Sequence, residues 1–225
     1  MQSSLPHQNK IHELSCKPAP DCFWCGGKKI VFGIDEVGRG PLAGPVMAVA
    51  IVVSRPTPLL GAEEWGGKVR DSKKLSAKQR EAIHSFLKKS PEVYWGIGKV
   101  LEKVIDKINI LQATKLAMEK AVLNLEKKIG KQASMLLIDG NFGISLKRPQ
   151  QSIIKGDEKI FLISLASIVA KVERDNLMIK LHKKYPQYGF DQHKGYGTKQ
   201  HMIALQKFGP CKIHRKSFRP NVLQK

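Results

Sequence analysis

Short apolar runs alternate along this chain with longer amphipathic stretches. Lys29–Ile34 and Val46–Val53 are rich in Val and Ile and short enough to be buried strands. Glu92–Val100, where Val93, Trp95 and Ile97 alternate with their neighbours, predicts a third, and Met135–Ile138 and Gln151–Lys155 predict two more. Ser76-Ala77-Lys78-Gln79 has the form of a capping box, opening a helix that runs to about Lys89. From about Ile108 to Ile129, the apolar positions Leu111, Met118, Val122, Leu125 and Ile129 are spaced 7, 4, 3 and 4 apart, one stripe of a long helix suited to core packing. Phe161–Lys180 continues as a helix whose small residues Ser164, Ala166, Ser167 and Ala170 allow close approach to a sheet. Strands interleaved with helices predict an α/β fold. Residues 54–70, with Pro56, Pro58 and Gly66-Gly67, are expected to form a surface loop.

Carboxylates mark the ends of three of these strands. Asp35 and Glu36 follow the first, Asp139-Gly140 closes the fourth, and Gly156-Asp157 follows the fifth. A carboxylate at the end of a buried strand is costly without compensation, and two side by side cost more. A divalent cation would compensate Asp35 and Glu36. Taken alone, Gly33–Pro45 fits equally an ordinary glycine turn in which Glu36 pairs with Arg39. Three strand-end acids favour a shared metal site, since ligand sites in α/β sheets gather at strand ends. Glu173 and Asp175 are rival acids, but their place in a helix beside Lys171 and Arg174 suits ion pairing, so they are expected behind the ligands.

Charge alters the picture of partners. The chain has 225 residues, with 39 Lys and Arg against 19 Asp and Glu, a net charge of +20. That excess points to a polyanion, nucleic acid first. Ten of the Lys and Arg lie in residues 182–225 with a single acid, Asp191, and Tyr185, Tyr188, Phe190 and Tyr196 interleave with them, as on a surface that touches phosphates and stacks on sugars or bases. His193, His201 and His214 are expected to sit on that surface without a chemical role. Asp71–Leu75 precedes a helix start, where free N–H groups offer a phosphate seat near Ser72, Lys73 and Lys74, although the residues alone favour a solvated basic turn. No apolar run approaches the roughly 20 residues of a membrane span. Met1–Pro20 lacks the apolar core of an export signal, so a cytoplasmic protein with reduced thiols is expected. Cys16, Cys22 and Cys25 offer a weak zinc pattern, for which free thiols are the expectation.

Seven motifs together resemble the bacterial ribonuclease HII family. They are G-I-D-E-V-G-R-G-P-L-A-G at 33–44, D-S-K-K-L at 71–75, N-I-L-Q-A-T at 109–114, L-I-D-G-N at 137–141, K-G-D at 155–157, S-x-A-S-I-V-A-K-V-x-R-D at 164–175 and Y-P-Q-Y-G-F-x-x-H-K-G-Y-G-T at 185–198. The resemblance implies a ribonuclease H-like fold: a central mixed sheet flanked by helices, with a small helical C-terminal portion. It divides the chain into an extension at 1–28, a catalytic core at 29–181 and a basic substrate-binding portion at 182–225. It also implies an endonuclease acting on RNA/DNA hybrids and on duplex DNA containing single ribonucleotides, with Asp35, Glu36, Asp139 and Asp157 as catalytic metal ligands. Oxygen ligands suit Mg²⁺ or Mn²⁺. Two such ions about 4 Å apart would activate a water for in-line attack and stabilise the leaving 3′-oxygen, leaving 3′-hydroxyl and 5′-phosphate ends.

By the same resemblance, Gly38, Arg39 and Gly40 sense the 2′-hydroxyl largely through backbone groups. Tyr196 places its ring against the following sugar, and Ser72, Lys73 and Lys74 contact phosphate. A monomer is expected. About 28 residues precede the first strand, too few for the separate N-terminal domain of the related ribonuclease HIII. A non-catalytic nucleic-acid-binding module is the alternative, explaining the charge but not the strand-end acids.

Overall fold

A computed structural model of the chain describes residues 30–54 and 75–218. The strands are β1 (Val31–Val37), β2 (Val46–Val53), β3 (Val93–Val100), β4 (Met135–Asp139) and β5 (Gln150–Ile153). The helices are α1 (Ala77–Lys89), α2 (Glu102–Ile129), α3 (Gly156–Lys159), α4 (Phe161–His182), α5 (Phe190–His193) and α6 (Lys199–Phe208). The strands form one mixed sheet in the order β3-β2-β1-β4-β5. β1 is antiparallel to β2 and parallel to β4, so the sheet changes direction at its centre.

Alternation along β1 and β2 divides the core. Phe32, Ile34, Val46, Ala48 and Ala50 face α2, while Val49 and Ile51 face α1 and α4. Glycines and alanines set the helix-to-sheet distance. A Cβ on Gly98 would lie 1.8 Å from the Ala117 carbonyl oxygen, and one on Gly33 would lie 2.4 Å from the Leu162 carbonyl carbon. Side chains at either position would push a helix off the sheet.

Three elements differ from expectation and one agrees. β1 runs three residues further, because its pairing with β2 continues to Val37↔Met47, so Asp35 and Glu36 lie within the strand rather than beyond it. β5 stops at Ile153, and Asp157 belongs to the short helix α3 instead of closing the strand. α2 begins at Glu102 and is interrupted at Asn109 (φ 64°, ψ 169°), whose Oδ1 accepts from the Gln112 N–H at 3.1 Å and so caps the second segment. α1 starts where its capping box places it, with Ser76 and Gln79 bonded reciprocally.

A smaller apolar cluster gathers Ala43, Met178, Tyr188, Phe190, Ala204 and Leu205 around the C-terminal helices. Tyr188 and Phe190 are thus buried rather than on a nucleic-acid-facing surface, their rings stacked 5.3 Å apart. His193, His201 and His214 are buried with them, again contrary to expectation, because each has backbone or imidazole partners that replace water. No helix among the described residues is long and apolar enough to cross a membrane. Cys16, Cys22, Cys25, Ser72, Lys73 and Lys74 lie outside the described residues.

Candidate metal centre

Parallel pairing of β1 with β4 sets Ile34 against Ile138, so the next residue of each strand, Asp35 and Asp139, emerges side by side. Glu36 completes the group: one ligand oxygen from each of Asp35, Glu36 and Asp139 lies within 4.8 Å of the others. Asp35 is buried, and Glu36 and Asp139 are partly exposed, so the cluster opens towards solvent on one side.

Such proximity has an electrostatic cost. Burial, then the charges of Glu36 and Asp139, hold the Asp35 carboxyl well above the usual carboxylate range, although a Ser167 hydrogen bond opposes them. Glu36 is also raised, chiefly by burial, with Arg39 opposing and Asp139 adding to the shift. Asp35 Oδ1 accepts from the Glu36 N–H at 2.7 Å, and Asp139 Oδ1 accepts from the Gly156 N–H at 2.6 Å, which fixes both carboxylates in place. Three rigid, mutually repelling carboxylates supply hard oxygen donors and excess negative charge, a donor set that fits a divalent cation of the Mg²⁺ or Mn²⁺ type.

The structure places the other predicted residues unevenly. Asp157 is buried on α3, next to the Gly156 that bonds Asp139, and stands outside the set of three. Glu173 is hydrogen-bonded to His84 (3.0 Å) and Asp175 pairs with Lys171 (2.9 Å), so both carboxylates already have side-chain partners. Arg39 lies 3.6 Å from Glu36 and 5.6 Å from the centre of the Phe142 ring, over which Lys115 also stands at 5.8 Å. Gly38 has φ +90°, open to glycine, and Gly40 faces Tyr196, whose Cε1 would lie 3.7 Å from a Cβ there. Tyr196 is 41% exposed, in contrast to the buried Tyr188. Arg39, Gly40 and Tyr196 therefore border one surface beside the acids.

Sequence reasoning overlooked Arg174 and Arg215, both buried. Arg174 donates to the carbonyls of Ala43, Pro45 and Lys194, and Arg215 to those of Gly38, Arg39 and Gly44. Burial lowers the pKa of Arg174, and burial with repulsion from Arg174 lowers that of Arg215 to about 10, still charged at neutral pH. Arg174 had a signal: Ala170, Arg174 and Met178, spaced four apart, form one stripe on the buried face of α4. Arg215 looked like one more charge in a basic tail.

The family model described as Ribonuclease HII matches residues 32–221. A ribonuclease HII of Chlamydia caviae is 52% identical over 194 residues, covering 86% of each chain. Among solved structures, the Pyrococcus horikoshii ribonuclease H2 matches with a TM-score of 0.62 at 27% identity, over 84% of this chain and 94% of its own. The ribonuclease HII of Archaeoglobus fulgidus, solved in a complex with PCNA, matches with a TM-score of 0.67 at 22% identity, over 85% and 96% of the two chains, a likeness of fold.

Proposed function

The chain belongs to the ribonuclease HII family and is a ribonuclease H, and from that premise we propose that it cleaves the RNA strand of RNA/DNA hybrids and incises duplex DNA on the 5′ side of single embedded ribonucleotides. The observation that carries this reading is the convergence of Asp35, Glu36 and Asp139 beside the exposed Arg39-Gly40 turn and Tyr196. The three carboxylates would hold divalent ions, Mg²⁺ or Mn²⁺, with Asp157 completing the set for a second ion when substrate is present. Bound there, such ions supply Lewis-acid stabilisation of the charge that develops at phosphorus during hydrolysis.

This chain's own residues do the rest. Asp35 and Glu36 present fixed oxygen atoms from β1, and Asp139 does so from β4, so the site is organised before substrate arrives. Exposed Gly40 has no side chain to block approach, Gly38 leaves room for the Arg174 side chain behind the turn, and the polar groups of the Gly38–Gly40 backbone are the ones we assign to the 2′-hydroxyl, which distinguishes RNA from DNA. Tyr196 would lie against the neighbouring sugar. Ser72, Lys73 and Lys74, with the basic residues of 182–225, would hold the phosphates, and a charge of +20 would make binding strongly salt-dependent. We propose further that it acts in the cytoplasm, as a monomer, where its nucleic-acid substrates would be met.

The test is cleavage of two duplexes, an RNA/DNA hybrid and a DNA duplex with one ribonucleotide, with Mg²⁺, Mn²⁺ or EDTA. Metal-dependent products with 3′-hydroxyl and 5′-phosphate ends are expected from both. Cleavage that persists in EDTA, or products with cyclic phosphate ends, would overturn the metal assignment.

A further inference from the structure

Residues 211–217 cross the outside of the glycine turn, and their contacts reach both parts of the surface assigned above to sugar recognition. Gly44 N–H donates to the Ile213 carbonyl (2.9 Å) and Arg215 N–H to the Leu42 carbonyl (2.9 Å), tying the segment to the turn as a short antiparallel bridge at Ala43↔His214. The Arg215 guanidinium then spans the turn. Its Nη1 donates to the Arg39 carbonyl at 2.8 Å, its Nη2 to Gly38 at 2.5 Å and Gly44 at 2.8 Å, and its Nε to Gly44 at 3.0 Å. The Phe218 ring covers it, 4.9 Å from ring centre to Cζ. With the carbonyls of Gly38 and Arg39 held inward, the peptide N–H groups of Arg39 and Gly40, on the opposite edges of those planar units, are directed away from the guanidinium.

The same segment reaches Tyr196 by a second route. The Cys211 N–H donates to His214 Nδ1 at 2.9 Å, so that nitrogen carries no proton. Neutral His214 is therefore protonated at Nε2 and donates to His201 Nε2, 3.0 Å away. That leaves His201 protonated at Nδ1, which donates to the Tyr196 carbonyl at 2.9 Å. One tautomer of each ring satisfies the whole chain. The strap is anchored from behind as well: Asp106 accepts from the Lys216 N–H (3.0 Å), the Ser217 N–H (2.9 Å) and the Ser217 hydroxyl (2.6 Å).

We infer that residues 211–217 are a strap that sets the two halves of the sugar-recognition surface against each other, with Arg215 the positioning residue for the Gly38–Gly40 backbone and His214 the positioning residue for Tyr196. This rests on the assignment of those residues to ribonucleotide recognition. Neither Arg215 nor His214 reaches solvent enough to bind nucleic acid itself, since both are buried. Their effect is on discrimination, and a lysine cannot replace the arginine because one ammonium cannot bridge three separated carbonyls.

The experiment compares wild type, Arg215→Lys, Arg215→Gln and Asp106→Asn by two quantities. One is kcat/KM on a duplex with a single ribonucleotide; the other is the inhibition constant of the same duplex made wholly of DNA, used as competitor. Both Arg215 variants are expected to lose roughly 10- to 100-fold in kcat/KM, the scale of a misplaced contact, while the inhibition constant moves less than about twofold because phosphate binding is retained. Asp106→Asn, which loosens the strap at Lys216 and Ser217 while leaving Arg215 in place, keeps the test open if the buried arginine proves essential for folding, and it is expected to shift kcat/KM in the same direction by a smaller factor. Wild-type kcat/KM in Arg215→Lys or Asp106→Asn, or equal losses in both quantities that track a lower melting temperature, would overturn the strap. Failure of the wild type to cut the ribonucleotide duplex would instead overturn the functional assignment beneath it.

Discussion

Asp139 Oδ1 accepts a hydrogen bond from the Gly156 N–H at 2.6 Å, joining the acid at the end of β4 to the first residue of α3. This bond fixes the backbone immediately before Asp157. A Cβ on Gly156 would lie 3.2 Å from that Oδ1 and 2.7 Å from Ile163 Cδ1, so any side chain presses on the carboxylate and on α4 together. Gly156→Ala is therefore expected to destabilise the protein by about 1–3 kcal/mol and to lower kcat by more than the stability loss accounts for. Thermal melts beside steady-state kinetics check it.

The raised pKa values of Asp35 and Glu36 give the acid cluster a definite sign in the metal-free protein. A carboxyl whose folded pKa lies above its unfolded value stabilises the fold below the unfolded pKa, near 4, and loses that contribution as pH rises through the folded pKa. At neutral pH the metal-free cluster is a net cost. Asp35→Asn should raise the melting temperature of EDTA-treated protein, by about 2–4 °C for each kcal/mol relieved in a chain of this size. Mn²⁺ or Mg²⁺ should raise the wild-type midpoint and leave that of Asp35→Asn nearly unchanged. Calorimetry with and without metal reads both.

His214 titrates in the opposite sense. Burial, with His201 beside it, lowers its pKa from 6.5 to about 4, so the unfolded chain binds the proton first as the solution is acidified. Its contribution is fully present above pH 6.5 and declines as pH falls towards 4, a loss of about 3 kcal/mol in all. Carboxylates with lowered pKa, such as Glu173 and Asp106, add their own losses nearer pH 4. The difference between wild type and His214→Gln isolates the imidazole: urea unfolding at pH 7, 6, 5 and 4.5 should show a steeper decline in the wild type.

Packing beneath the site is equally specific. Gly33→Ala would drive a Cβ to 2.4 Å from the Leu162 carbonyl carbon and 2.7 Å from the Ile163 N, both backbone atoms of α4, the helix that supplies Ser167 to Asp35. A loss of several kcal/mol is expected, at or above the usual 1–3 kcal/mol for overpacking, because backbone cannot rotate away. Reduced soluble yield and a lowered midpoint in urea are the readout.

How much of this was legible depended on where each signal lay along the chain. Asp35, Glu36 and Asp139 were legible because an acid directly after an apolar run is a local pattern, and parallel pairing of β1 with β4 sets those positions side by side even though β1 runs on to Val37. Asp157 was only half legible: its motif was visible, but β5 ends four residues before it and a helical turn carries the acid instead. Arg215 and the three histidines were read as part of a solvated basic surface and Arg174 as an ion-pair neighbour of Glu173 and Asp175, since what buries them is a set of backbone carbonyls and imidazoles far away in sequence. Tyr188 and Phe190 were misplaced for a related reason. Aromatics among lysines suit both a stacking surface and a small core, and Met178 and Leu205 decide for the core.

On the proposed assignment, Asp35, Glu36 and Asp139 hold the ions that cut beside a ribonucleotide. The most direct measurement is incision of a 5′-labelled DNA duplex with one ribonucleotide, comparing wild type with Asp35→Asn and Asp139→Asn in Mn²⁺. A single cut on the 5′ side of the ribonucleotide by the wild type, abolished by EDTA and reduced at least about a thousandfold in both folded variants, is the predicted result. Undiminished incision by either variant, or cutting on the 3′ side, would contradict it.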